Sequence, residues 1–211
     1  GKHSALLLGT GFHFLNGPIS PDLPPRLFDF QAAVHTRKAF TNREMLDLKL
    51  GVGAFSDFEG SSRKGIRFPG HAVMYSEHSE SCVSVLGLEV LDRDDISLLP
   101  VGGWVFRPHP DTVVECVFPR PRVQLKLDGG SAMYLGGELG GGTWAFERSN
   151  GADDNVTYRD LRITFGVMDF DDDSSNALEI GWSFDRSLEF RSGQGDQELD
   201  GAFLLRCHAH Y

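Results

Sequence analysis

The sequence predicts an all-β protein: a two-sheet antiparallel β-sandwich, jelly-roll-like or of similar topology, with little helix. Three observations lead there. Apolar residues recur with period two along several segments, which places them on one face of a strand. The chain carries 25 glycines and 10 prolines, which leave little room for long helices. Turn signals such as Asn16-Gly17-Pro18, Pro69-Gly70, Asp128-Gly129-Gly130 and Asn150-Gly151 separate the alternating runs at short intervals.

Taken in order, residues 9–25 are rich in Gly, Pro and Asn and read as an irregular lead-in. Thr41-Asn42-Arg43-Glu44 fits a helix capping box, but the alternation that follows allows at most a turn or two of helix. Leu46, Leu48, Leu50, Val52 and Ala54 alternate with Asp47, Lys49, Gly51 and Gly53 and mark the first clear strand. Residues 68–75, 83–85, 88–90 and 113–117 are weaker strand candidates. Val123, Leu125 and Leu127 form a second clear run, then Leu161, Ile163, Phe165 and Val167, then Leu178, Ile180, Trp182 and Phe184; residues 203–205 add a last candidate. Each run is expected to turn its apolar side chains into a core, Trp182 among them, while Trp104 and Trp144 follow glycine clusters and are better placed for exposure. A boundary at residues 76–81 would set off an extension of residues 1–80. One domain over residues 1–211 is preferred, because a β piece of some 80 residues has a marginal core.

Composition narrows the function classes. With 30 acidic against 20 basic residues the net charge is −10, and residues 150–200 hold most of it. Nucleic acid is therefore not an expected partner, since phosphate binding relies on Lys and Arg. No run approaches 18 apolar residues, so no membrane span is expected. Cys82, Cys116 and Cys207 are odd in number and widely spaced, and read as buried free thiols. Composition assigns no compartment.

The densest chemistry is the acidic knot Asp169-Phe170-Asp171-Asp172-Asp173, at the end of an alternating run. So many carboxylates repel one another unless water, arginine or a cation screens them, and calcium suits oxygen ligands on loops. A hydrated acidic turn explains them equally. His109-x-Asp111 suggests a metal site of two histidines and a carboxylate, with His208 or His210 to complete it, although Pro108 and Pro110 make the segment read as a turn. No Gly-x-Ser-x-Gly elbow or phosphate-binding glycine loop is present.

Residues 122–129, the segment Trp144-Ala145-Phe146-Glu147, and residues 161–171 continued by Ser174 and Ile180-Gly181 together resemble the C-two domains, calcium- and phospholipid-binding β-sandwiches. The resemblance spans at most residues 82–205. It implies a calcium clasp between sheet ends by Asp169, Asp171 and Asp173, with Asp111 or Asp92, Asp94 and Asp95 from earlier loops. The usual Ser-Asp-Pro-Tyr segment of that family is missing, and residues 109–113 are a poor substitute. The sequence thus points first to a non-enzymatic binding module for a glycan, lipid or protein ligand, with calcium as the candidate cofactor. A metal-dependent jelly-roll enzyme using His109, Asp111 and His208 or His210, and a capsid-like structural or assembly protein, are the alternatives.

Overall fold

A computed structural model describes residues 2–15, 21–60, 62–170 and 175–210. The chain is all-β, with no α-helix among the described residues and one short 3-10 turn, Ser62–Gly65. The strands are β1 (Lys2–Phe14), β2 (Arg26–Ala39), β3 (Glu44–Ser56), β4 (Ile66–Arg67), β5 (Gly70–Ser79), β6 (Cys82–Val90) and β7 (Leu98–His109). They continue as β8 (Thr112–Phe118), β9 (Arg122–Lys126), β10 (Ser131–Glu147), β11 (Asp153–Phe170), β12 (Ser175–Phe190), β13 (Gln197–Leu199) and β14 (Ala202–His210).

The expected two-sheet sandwich is not formed. One sheet runs through all the strands, and its middle closes into a seven-stranded mixed β-barrel of β3 and β5–β10, with further strands lying outside it. Apart from the short β4 and β13, strands consecutive along the chain pair antiparallel, and the ring is sealed by a single parallel bridge, Ala145 with Ser56. The physical reason is strand length. Strand β9 pairs with β10 only over residues 132–136, and β5 covers β3 only over residues 44–50. The far ends of β3 and β10 therefore have free edges that meet. An odd number of meandering strands brings first and last in pointing the same way, so the closing pair is parallel. Outside the ring β2 and β1 extend β3, while β11, β12, β13 and β14 extend β10. Among the described residues β1 pairs only β2, and β14 only β12.

The connections differ sharply at the two ends of the strands. At one end lie residues 40–43, 80–81, 110–111 and 127–130, all tight links. At the other end strand β1 leads to β2, β3 to β5, β6 to β7, β8 to β9, β10 to β11 and β12 to β14, most of them through longer stretches of sequence. Two apolar clusters fill the inside: Val73, Val85, Val101 and Val105 in the ring, and Leu27, Trp144, Phe146, Val156 and Phe190 where β2 lies over β10–β12.

Local expectations are corrected too. Residues 9–14 are not irregular but complete β1, paired with β2 in unbroken register from Lys2 to Phe14. Thr41 and Glu44 do contact one another, Oγ1 to Oε2 at 3.4 Å, but in the hairpin turn between β2 and β3 rather than at a helix start. The stretch at residues 76–81 is the end of β5 and its turn into β6, with the sheet continuous across it. Trp144 is buried and donates its indole N–H to Asp29 Oδ1, while Trp182 is exposed. Cys116 and Cys207 are exposed. Behind these last two lies one cause, the sidedness of the sheet.

Candidate functional site

The alternation read from the sequence is real, but its apolar face points outward. On β11, Leu161, Ile163, Phe165 and Val167 are exposed, while Thr164 and Gly166 between them are buried and Arg162 is half-buried. On β3 Leu50 and Val52 are exposed, and Asp47 is buried. The same holds for Leu86 and Leu88 of β6, Trp104 and Phe106 of β7, and Leu178 and Ile180 of β12. At the sheet's two edges, Leu8 is 77% exposed and Phe203 is 90% exposed. Scattered exposed apolar residues are ordinary; an outer surface made almost continuously of them is not.

The inner face is correspondingly polar. Across β10, β11, β12 and β14, Glu138 accepts from Arg162 at 3.2 Å and from Arg206 at 2.9 Å. Arg206 also pairs with Glu179 at 2.5 Å, and Arg162 with Asp160 at 2.7 Å. Tyr134 donates its hydroxyl to Glu179 at 2.5 Å and Ser183 to Asp160 at 2.5 Å. Charges this far from water persist because each is paired and hydrogen-bonded.

On the inner face of the sheet, where β2 joins the seven-stranded ring at β3, a second polar group stands out. His35 Nε2 lies 2.7 Å and His71 Nε2 2.8 Å from the same atom, Asp47 Oδ1. Arg37 donates from Nε to the other oxygen, Oδ2, at 2.8 Å. Register explains the convergence. His35 and His71 both sit directly across from Lys49, on β2 and β5 respectively, so each lies diagonally beside Asp47 on the inner face of β3. A cavity of about 320 Å³ adjoins them and is also lined by Tyr75, Glu89, Glu115 and Arg120. Among the described residues this is the one group of three or more His, Cys, Asp or Glu whose ligand atoms lie together, within 4.8 Å of one another.

The residues singled out in the sequence lie elsewhere. Asp169 is next to the last residue of β11, at the end with tight turns, paired with Ser131 and Asn176. Asp171 and Asp173, with Asp172, lie outside the described residues. Asp111 is exposed in the β7–β8 turn, also at the tight-turn end, with β8, β9 and β10 between it and the strand of Asp169 in the sheet order. Asp92 lies at the opposite end, in residues 91–97, where its Oδ2 accepts from the Phe68 backbone N–H at 2.6 Å. Its neighbours Asp94 and Asp95 are engaged by arginines: Arg67 and Arg191 on Asp94, Arg93 on Asp95. Burial pushes the Asp94 carboxyl up, but hydrogen bonds from Arg191, Asn155 and Arg67 outweigh it and hold it below the usual carboxylate range. The structure therefore does not bring Asp92 together with Asp111 and Asp169.

His109 stands 3.4 Å from Asp111, both exposed, while His208 on β14 reaches Glu179 at 3.3 Å. Strands β8–β12 separate these two histidines in the sheet, and His210 ends β14 opposite Ser175. The sequence reading missed His35, Asp47 and His71 because no short spacing links them. The available signal was Asp47 and Lys49 interrupting an apolar run at inward positions. The chain matches no protein-family model, no curated protein and no solved structure.

Proposed function

We propose that the protein is a membrane-spanning β-barrel, a non-enzymatic binding barrel whose outer face is solvated by lipid. One observation carries the reading: along β11 every large apolar residue from Leu161 to Val167 is exposed, and the small and polar residues between them turn inward. Water would penalise that arrangement at every strand, whereas hydrocarbon favours it. No helix among the described residues is long and apolar enough to cross a membrane, so the strands would do the spanning.

The dimensions fit. From Leu46 to Ala54 the outward set covers roughly 26 Å along the strand, or about 20 Å along an axis tilted by about 40°, close to the apolar band of such barrels. The two kinds of connection fit as well, since barrels of this type carry tight turns at one end and longer loops at the other. The interior is filled by valines and ion pairs, which supports a binding chamber over an open channel.

Detergent dependence tests the proposal. The protein should stay monodisperse only in detergent or lipid, should float with liposomes through a density gradient, and should migrate faster on an electrophoresis gel when left unheated. A monodisperse species in plain buffer, monomeric or oligomeric, that ignores liposomes would overturn it.

A further inference from the structure

We propose that His35, Asp47 and His71 form a binding site for a zinc-class divalent cation on the inner face of the sheet, where β2 adjoins the ring strands β3 and β5. The ligand atoms are His35 Nε2, His71 Nε2 and Asp47 Oδ1, which lie within 4.8 Å of one another. Three strands, β2, β3 and β5, supply one ligand each, so hydrogen-bonded neighbours hold the group before any ion arrives. Two imidazoles and one carboxylate are the donors that zinc, copper(II) and nickel(II) take; calcium and magnesium prefer more oxygens.

The surroundings match what such sites need. Arg37 donates to Asp47 Oδ2, the oxygen that the histidines leave free, and so fixes the carboxylate with Oδ1 aimed at both rings. The adjoining cavity of about 320 Å³ leaves room for a fourth ligand, water or a small anion. The cation Arg37 would oppose a second cation on its own, but Glu89 and Glu115 line the same cavity and offset it together with Arg120. Without metal, the two imidazoles crowd onto one oxygen at 2.7 and 2.8 Å. A coordinating Nε2 carries no proton, so each proton shared with Oδ1 must leave or move to Nδ1 when the ion enters. The site would be half-exposed at its histidines and closed at Asp47, with side chains 24%, 25% and 7% exposed respectively.

Titration calorimetry on untagged, chelator-stripped protein in detergent tests this with zinc chloride, cobalt chloride and calcium chloride. One zinc per chain is expected, with no calcium binding at the same concentrations. Cobalt should produce the visible absorption of a four-coordinate nitrogen and oxygen site. His35→Gln and His71→Gln should each weaken zinc at least tenfold, and Asp47→Asn at least as much, whereas His109→Gln should leave it unchanged. No saturable zinc binding by the unaltered protein at about 100 µM would overturn the proposal. So would zinc binding that survives both histidine substitutions. If Asp47→Asn fails to fold, the histidine variants and the cobalt spectrum still decide it. The result is independent of the lipid-facing surface, because a metal-binding barrel that ignores liposomes and a liposome-bound barrel that ignores zinc are distinguishable outcomes.

Discussion

Replacing Leu50 by arginine tests the lipid-facing surface where it makes its sharpest demand. Leu50 stands in the middle of β3, flanked by the outward Leu48 and Val52, and is 65% exposed. A half-naked leucine on a protein in water has little packing to lose, and its substitution should cost no more than about 0.5 kcal/mol. In a bilayer the same position lies near the midplane, where an arginine costs about 2–4 kcal/mol. The two environments thus predict costs that differ severalfold at one site. Phe40, exposed in the tight turn after β2, serves as the depth control, because arginine near the interface costs about 0–1 kcal/mol. Reversible guanidinium unfolding from phospholipid vesicles, followed by tryptophan fluorescence, measures both. Equal and small effects at Leu50 and Phe40 would refute the argument that the apolar alternation faces lipid.

The remaining expectations follow from the interior and the loops. Glu179→Ala strips Arg206 of its 2.5 Å partner in a largely dry network, and should cost about 3 kcal/mol in the same unfolding assay. Gly141 has φ +117°, and an added Cβ would lie 2.0 Å from the Tyr158 carbonyl oxygen, so Gly141→Ala should lower stability by about 2 kcal/mol or more. Asp94, in the loop of residues 91–97, has a folded pKa below its ordinary value of 3.8. Its contribution is therefore complete above that value and is lost as pH falls through the lower folded one, so thermal melts should show an acid limb that Asp94→Asn flattens.

The alternating strands β3, β9, β11 and β12 were legible in the sequence, β1, β2, β7 and β10 were not, and neither was the sidedness of any of them. Period two in Leu46–Ala54 or Leu161–Val167 announces that two faces differ, yet carries no label saying which one meets solvent. The inference that apolar means inward holds only when the solvent is water. Strand β1 escaped because Gly9 and Gly11 interrupt its apolar residues, and glycine is a turn former until a neighbouring strand claims it. The His35–Asp47–His71 group depends on the register of three strands, which pairwise spacing along the chain does not encode. The acidic residues are dense along the chain, but Asp94 is matched by Arg67 and Arg191 from distant segments that only the fold could supply, and Asp95 by its near neighbour Arg93.

The unshared edges of β1 and β14 have a consequence for assembly. Each carries a row of backbone N–H and C=O groups with no partner strand among the described residues. Water satisfies such a row at no great cost, whereas in hydrocarbon each orphan costs several kcal/mol. Setting aside the short β4 and β13, the meander has twelve strands, an even number, so β1 and β14 run in opposite directions and can seal by ordinary antiparallel pairing. Lipid would thus act as the closing agent of the molecule. Amide hydrogens of β1 should exchange quickly in water and slowly once the protein is in vesicles; equal exchange in both would show that the seam stays open.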